Sequence, residues 1–365
     1  MVIVEKKSVG LNPAGQFHLT DHLAVVSVIM GMPLIFLEEF DYHLGKKYYP
    51  KLDAQLVDFL DFNPEYLITR YDVLFMSHLW KRQDFREKYA SLEAKYKKQL
   101  RVVHCPHGYS DKVFYLCECA SEDITLIYGQ QMLDVMKQEG TYQNLHGFVM
   151  SGNYRYTYYK QHRAFFDKLM QEEVLSHFDK KKPIILYAPT WQDSDNSTSY
   201  FLCVEKLLDS LPDDYNIIVK LHPCLELNDT GEFYRIIGKY EKNRNVFFLK
   251  DFPLVFPVLA HADIFIGDMS AVGYDFLAFN KPMFFLNMNQ RNSKSKPYLY
   301  RCGTEILPEQ LPQIYSIISQ SLQKDHDKFG KMRQDTFKYT FGEERKFMDI
   351  KSDIIKCYNE TLVPT

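Results

Sequence analysis

No two cysteines in this chain stand at Cys-x-x-Cys spacing, and the seven present (105, 117, 119, 203, 224, 302 and 357) are scattered and odd in number. That pattern argues against a disulfide framework and against a zinc site, and it fits a reducing cytoplasm. Long apolar runs are also missing. The most apolar early stretch, Leu23 to Leu37, is broken by Gly31 and Pro33 and lacks signal-peptide flanks, so it is too short to span a bilayer. A net charge of −3 argues against a dedicated nucleic-acid binder, although local basic patches remain able to touch anionic lipid. No Asp, Glu and His residues gather at metal-ligand spacing, even around the acidic group Glu38, Glu39 and Asp41, so no metal is expected. There is no internal repeat and no low-complexity tract.

What is present is a globular balance of 46% hydrophobic and 25% charged residues over 365 positions, enough for two domains with a core each. Short apolar strands recur and are often followed by helical stretches. The predicted strands are Pro33–Leu37, Tyr66–Thr69, Val73–Met76, Leu100–His104, Ile124–Tyr128 and Gly147–Met150. After a charged helix (Gln161 to Phe178) and a solvated run (Asp179 to Lys182) come Pro183–Ala188, Asn216–Leu221, Val246–Leu249, Asp263–Ile266 and Met283–Leu286. Such alternation predicts parallel sheets covered by helices, hence an α/β protein with two Rossmann-like halves. Thr20-Asp21 is expected to cap a helix from Leu23 to Met30, which Gly31 ends. From Leu311 onward only polar helices are predicted. The Tyr154 to Lys160 cluster is too polar for a core position and is expected to be a solvated and partly packed helix start, or else to face a membrane or partner.

The segment Ala262 to Leu286 reads as buried strand, tight turn, helix and second buried strand. Asp268 and Ser270 are its N-cap candidates, with the helix beginning near Ala271. Unpaired amides at such a helix start suit a phosphate. An ordinary βαβ unit whose cap serves only the fold explains the same residues.

Polar insertions stand at four strand ends: Cys105-Pro106-His107-Gly108-Tyr109, Pro189-Thr190-Trp191-Gln192-Asp193, His222-Pro223 and Asp268-Met269-Ser270. Parallel sheets present ligand-binding groups beyond those ends. His107 is the first candidate for a general base, since a neutral imidazole can take the proton of an attacking hydroxyl. His222, Lys220 and the helix start could stabilise charge on a leaving nucleotide. Asp251 lies just past a strand and is a candidate bracket for the nucleotide base. Upstream, His18, Asp21 and His22 form a second constellation: a carboxylate beside an imidazole could orient it, and His18 and His22 are alternative bases. Arg291 and Lys294 to Lys296 could reach phosphate or an anionic headgroup.

Taken in order, His107-Gly108, Tyr187-Ala188-Pro189-Thr190-Trp191, Lys220-Leu221-His222-Pro223, Asp268-Met269-Ser270-Ala271 with Tyr274-Asp275-Phe276, and Asn280-Lys281-Pro282 resemble the signature of the CDP-glycerol glycerophosphotransferases that build teichoic acids. Phe341-Gly342-Glu343-Glu344-Arg345 is a weaker echo of the family's carboxyl end. Two departures stand out, Ser270-Ala271 in place of a frequent Ser-Ser pair and Pro106 in place of a frequent Trp. The resemblance implies a GT-B-like fold of two facing Rossmann-like domains with a helical C-terminal segment. Residues 1–178 would bind the acceptor, 179–330 the nucleotide donor, and 331–365 would pack back on the first domain. It implies transfer of glycerol phosphate, or a related polyol phosphate, from a CDP-activated donor to a hydroxyl acceptor that is often lipid-linked, with release of CMP. His107 then corresponds to the base, His222 to a diphosphate ligand, and Ser270 with Ala271 to the phosphate-binding turn; Thr190, Lys220, Asp251 and Asp268 are further donor-binding candidates from their places at or near the strand ends. No tightly bound cofactor and no nucleic-acid partner are expected, and the location is cytoplasmic, with peripheral contact at the inner membrane face. A nucleotide-sugar glycosyltransferase or UDP-sugar 2-epimerase on the same fold, and a catalytically inactive nucleotide-binding scaffold, remain alternatives.

Overall fold

The computed structural model describes residues 6–78, 82–112, 116, 118, 122–193, 198–250, 252–292 and 294–360. Two compact units divide the chain. One comprises Met1–Tyr109, Val113–Tyr158 and Tyr339–Thr365, the other Ser110–Lys112 and Tyr159–Lys338.

In the first unit, β1 (Ser8–Asn12), β2 (Leu34–Phe36), β3 (Ala54–Leu56), β4 (Val73–Met76), β5 (Arg101–His104), β6 (Ile124–Ile127) and β7 (Phe148–Met150) form one sheet in the order β3-β2-β1-β4-β5-β6-β7. Every pairing is parallel, with Val9 beside Leu74 across β1 and β4. Central strands such as β4 and β6 are buried along their whole length, which is why they read as continuous apolar runs rather than alternating ones.

In the second unit, β8 (Ile184–Ala188), β9 (Asn216–Lys220), β10 (Val246–Leu249), β11 (Ile264–Gly267), β12 (Met283–Leu286) and β13 (Thr304–Ile306) run in the order β10-β9-β8-β11-β12-β13, again all parallel. One face of this sheet, with Ile185, Tyr187, Ile217, Val219 and Phe284, shares a core with Val204 and Leu207 of the helix Tyr200–Asp209. Both sheets reverse their strand order once, between β1 and β4 and between β8 and β11. Those reversals open a crevice beyond the carboxyl ends of the strands, where α/β proteins hold ligands.

Three expectations change. The Tyr66–Thr69 strand is instead part of the helix Pro64–Arg70, because the Asn63 side chain caps the Tyr66 amide at 2.9 Å and Pro64 fits the first turn. The first long helix runs Thr20–Met30, with Leu19 at its cap and Asp21 already inside the first turn, so Thr20-Asp21 does not cap it. Gly31 does end it, at φ 68°, where its amide reaches the Ser27 and Val28 carbonyls. Finally, Tyr154, Arg155, Thr157 and Tyr158 are buried. Two of them find internal partners, Arg155 pairing with Asp21 and the Tyr158 hydroxyl donating to the Pro50 carbonyl at 2.5 Å. Polarity did not keep this cluster at the surface.

Strands β1, β3 and β13 lie outside the predicted set; β1 is interrupted by Gly10, and β3 and β13 are three residues each. The run 179–182 lies within the second unit, between the 3-10 turn Leu175–His177 and β8. The last helix, Phe347–Glu360, buries Ile350, Ile354 and Tyr358 and packs on β7 and on the helix Thr20–Met30. Among the described residues no helix is long and apolar enough to cross a membrane.

Candidate functional site

In the first unit, two of the histidines predicted as alternatives, His18 and His107, come into electrostatic range of the third, His22. His18 sits exposed on the 3-10 turn Phe17–Leu19, His22 is buried in the first turn of Thr20–Met30, and His107 follows β5. The Thr20 hydroxyl ties the helix start to the end of β1 by donating to Asn12 Oδ1 at 2.9 Å. Burial pushes the His22 imidazole well below its usual pKa, and the charges of Arg155, His107 and His18 push the same way. His107 is also lowered by desolvation, partly countered by a hydrogen bond to the Ser77 backbone. An imidazole lowered in this way is neutral at pH 7 and can accept a proton. Beside it, burial raises the Cys105 thiol, which makes it an inert packing group rather than a nucleophile.

Asp21 does not orient a histidine through the contacts seen here. Its carboxylate accepts Arg155 Nη1 at 2.8 Å and the Tyr49 hydroxyl at 3.2 Å. It neutralises the buried guanidinium that lies next to His22.

In the second unit, Thr190 and Asp268 meet on the crest where β8 and β11 lie side by side. Asp268, 1% exposed, accepts the Thr190 amide at 2.8 Å through one oxygen and the Ser199 amide and hydroxyl, both at 2.8 Å, through the other. Burial raises this carboxyl to about 6 even against those three donors. Asp268 therefore fastens the Thr190 and Ser199 ends of the loop that follows β8. Lys112 completes the fastening, donating to the Thr190 hydroxyl at 2.8 Å and pairing with Asp193 at 2.7 Å. Its ammonium lies 5.7 Å from the Trp191 ring centre, and Trp191 lies 6.2 Å from the His222 ring at a tilt of 30°.

His222 stands just past β9, half-buried, and its Nδ1 accepts the Cys224 amide at 3.1 Å. The ring proton is thereby placed on Nε2, where it can be given to an anion. Lys220 is the last residue of β9. Ser270 is the N-cap of the helix Ala271–Phe276, accepting the Val272 amide at 3.3 Å. A small cavity opens beside the Asp268 lock, lined by Ser199, Met269, Leu286, Asn287, Arg291 and Tyr300. Asp251 lies outside the described residues.

Two motifs serve the scaffold. Asn280 ends the turn Leu277–Phe279 at φ 50° and accepts Nε of the fully buried Arg333 at 2.8 Å, while Lys281 donates to the Ala260 and Ala262 carbonyls at 2.8 and 2.6 Å. In the Phe341 to Arg345 motif, Arg345 bonds the Met150 carbonyl and Phe341 meets the Tyr128 ring edge-on at 5.7 Å. No group of three or more His, Cys, Asp or Glu side chains that could hold a metal occurs among the described residues. Asp-x-Asp spacing occurs at 193–195 and 325–327, but Asp193 is paired with Lys112 and Asp325 with Arg333.

Sequence reasoning missed Lys112, Ser199, Tyr128 and Arg155. Tyr128 had a signal, since it closes a predicted strand, and Asp193 stood in a singled-out strand exit. Lys112 and Ser199 had none, because their partners are 78 and 69 residues away.

Two parallel sheets with one reversal each define an α/β protein of the GT-B-like class. Solved structures share this fold. The wall teichoic acid polymerase TagF matches with a TM-score of 0.66 at 16% identity, covering 99% of this chain and 91% of that one. Staphylococcus aureus MnaA with UDP matches at 0.60 and 13% identity, covering 98% of each. A family model, CDP-glycerol:poly(glycerophosphate) glycerophosphotransferase, matches residues 151–345, and the chain belongs to that family. Among curated relatives, the teichoic acid glycerol-phosphate primase of Bacillus subtilis is 33% identical over 132 residues, 35% of this chain and 32% of the relative. The teichoic acid poly(ribitol-phosphate) polymerase of Bacillus spizizenii is 25% identical over 175 residues, 46% of this chain and 26% of the relative. The matched stretches thus span about a third or less of those relatives' own length.

Proposed function

We propose that this protein transfers glycerol phosphate, or a related polyol phosphate, from a CDP-activated donor to a hydroxyl acceptor in the synthesis of teichoic acid-type cell-envelope polymer. The observation that carries this reading is the family match over 151–345, a single stretch that holds Thr190, Lys220, His222, Asp268, Ser270 and Ala271.

The acceptor oxygen attacks the phosphorus that bears glycerol. A new P–O bond forms, the bond from that phosphorus to the bridging oxygen breaks, and CMP leaves with the bridging oxygen and its electron pair. His107 takes the hydroxyl proton, and its lowered pKa supports that role by keeping the ring neutral. His222 donates from Nε2 to a donor phosphate oxygen, helped by the charge of Lys220. Ser270 and Ala271 shape the turn beside it; their helix, six residues long, adds little dipole. Asp268 acts by holding the Thr190 turn. His18 and His107 add their charges to the burial that keeps His22 neutral. The acceptor is lipid-linked and met from the cytoplasm at the inner membrane face, a reading supported by the teichoic acid names of the relatives.

Calorimetric titration with CDP, UDP, ADP and CDP-glycerol, repeated on His222→Ala, tests the proposal. Selective cytidine binding that weakens in the variant is expected. A preference for UDP would transfer the assignment to a nucleotide-sugar transferase or epimerase, and absence of nucleotide binding would overturn the enzymatic reading.

A further inference from the structure

The Tyr128 hydroxyl, just past β6 on a side chain 2% exposed, meets three polar groups. It lies 2.6 Å from the Pro106 carbonyl, 3.1 Å from the Gly108 amide and 3.2 Å from His22 Nδ1. A phenol has one proton to give and two lone pairs to receive. The Pro106 carbonyl can only accept, so the proton goes there. The Gly108 amide can only donate, so it takes one lone pair. His22 Nδ1 must then be a donor as well.

From this accounting we propose that Tyr128 is a positioning residue whose one hydroxyl fixes His22 as the Nδ1–H tautomer and clamps the peptide groups on both sides of His107. The inference rests on the reading of His107 as the base.

The alternative tautomer would have His22 accept the phenol proton, which would take it from the buried Pro106 carbonyl. Leaving a buried acceptor without its donor is unfavourable, so the network selects one arrangement. Gly108 is bound into it by its backbone: at φ 110° it occupies a region that L side chains rarely adopt, and this conformation brings its amide to the phenol. The Tyr128 ring is itself held, stacked on Tyr154 at 6.3 Å and edge-on to Phe341 at 5.7 Å. The Phe341 to Arg345 motif thereby reaches His107 through the tyrosine. His22 is left with its lone pair on Nε2, whereas His222 carries its proton there. One ring is set to receive a proton and the other to donate a hydrogen bond.

The test uses the full chain with 15N-labelled histidine. Long-range proton–nitrogen correlation spectra at pH 7, with the His22 signals assigned by their absence from His22→Ala, report the tautomer without any transfer assay. The Nδ1–H form is expected for His22, and the Nε2–H form overturns the proposal. Tyr128→Phe keeps the ring and removes the clamp. It should release the His22 tautomer and lower kcat by up to about 10²-fold with the donor KM unchanged. Unchanged kcat with an unchanged tautomer overturns the positioning role. If wild-type protein transfers nothing yet shows the Nδ1–H signal that Tyr128→Phe abolishes, the clamp stands and only the functional reading falls. The wild-type spectrum also decides the tautomer if Tyr128→Phe does not fold.

Discussion

Lys112 and Asp193 form an ion pair of 2.7 Å whose side chains are only 9% and 2% exposed. A pair so buried is held against a desolvation cost that its mutual attraction roughly offsets, so losing one partner is far worse than losing both. Lys112→Ala should destabilise the second unit by about 3–5 kcal/mol by leaving Asp193 uncompensated. Urea denaturation of Lys112→Ala, Asp193→Ala and the double variant checks it. A double variant no more stable than Lys112→Ala would speak against the pair.

His107→Ala should leave CDP-glycerol affinity unchanged and lower kcat by roughly 10²–10⁴-fold, the usual share of a general base. Single-turnover transfer measured beside calorimetric binding separates the two effects. A variant that binds the donor poorly but turns over normally would remove His107 from the chemistry.

His222→Ala should weaken CDP-glycerol by roughly 10–100-fold, the value of about 1.5–3 kcal/mol for a hydrogen bond to a charged group. His222→Asn, which can still donate, should recover part of the loss. Equal Kd values for all three proteins would show that the Nε2 proton meets no phosphate.

The pH dependence follows from opposite shifts. Folding lowers His22 and His107 below the ordinary 6.5, so the unfolded chain protonates first. Their contribution to stability is in place above pH 6.5 and is lost as pH falls toward the folded values. Asp268 is raised from 3.8 to about 6, so its buried charge weighs against the fold at neutral pH, and that penalty is relieved as pH drops from 6 toward 3.8. Urea midpoints from pH 7.5 to 5 should therefore fall less steeply on acidification in His22→Gln than in the wild type, and more steeply in Asp268→Asn. Parallel curves would contradict these assignments.

Asp21→Ala should unfold the first unit more readily, by about 3–5 kcal/mol, since it strands the buried Arg155 charge. Thermal denaturation decides this, and a neutral effect would return Asp21 to the solvated role of a helix-start carboxylate.

Much of this was legible in the sequence. Strands β4 and β12 were predicted with the bounds they have, because fully buried parallel strands leave contiguous apolar runs, and the half-buried edge strand β10 keeps such a run as well. Tyr66 to Thr69 misled because a β-favouring run was read without its Asn63-Pro64 start. The Tyr154 to Lys160 cluster misled for another reason: its burial depends on Asp21 and Pro50, which no local window contains.

The sequence by itself determined the class of protein: alternating strands and helices, polar insertions at strand ends, and histidines at 18, 22, 107 and 222, all consequences of local patterning. Tertiary structure decided what those groups are. The proton on His22 is set by a phenol 106 residues away, and the carboxylate of Asp268 was turned from a prospective ligand into a lock by an amide 78 residues away. Hydrogen bonds assign tautomers and commit carboxylates, and their partners are chosen by which strands lie side by side rather than by neighbours in the chain.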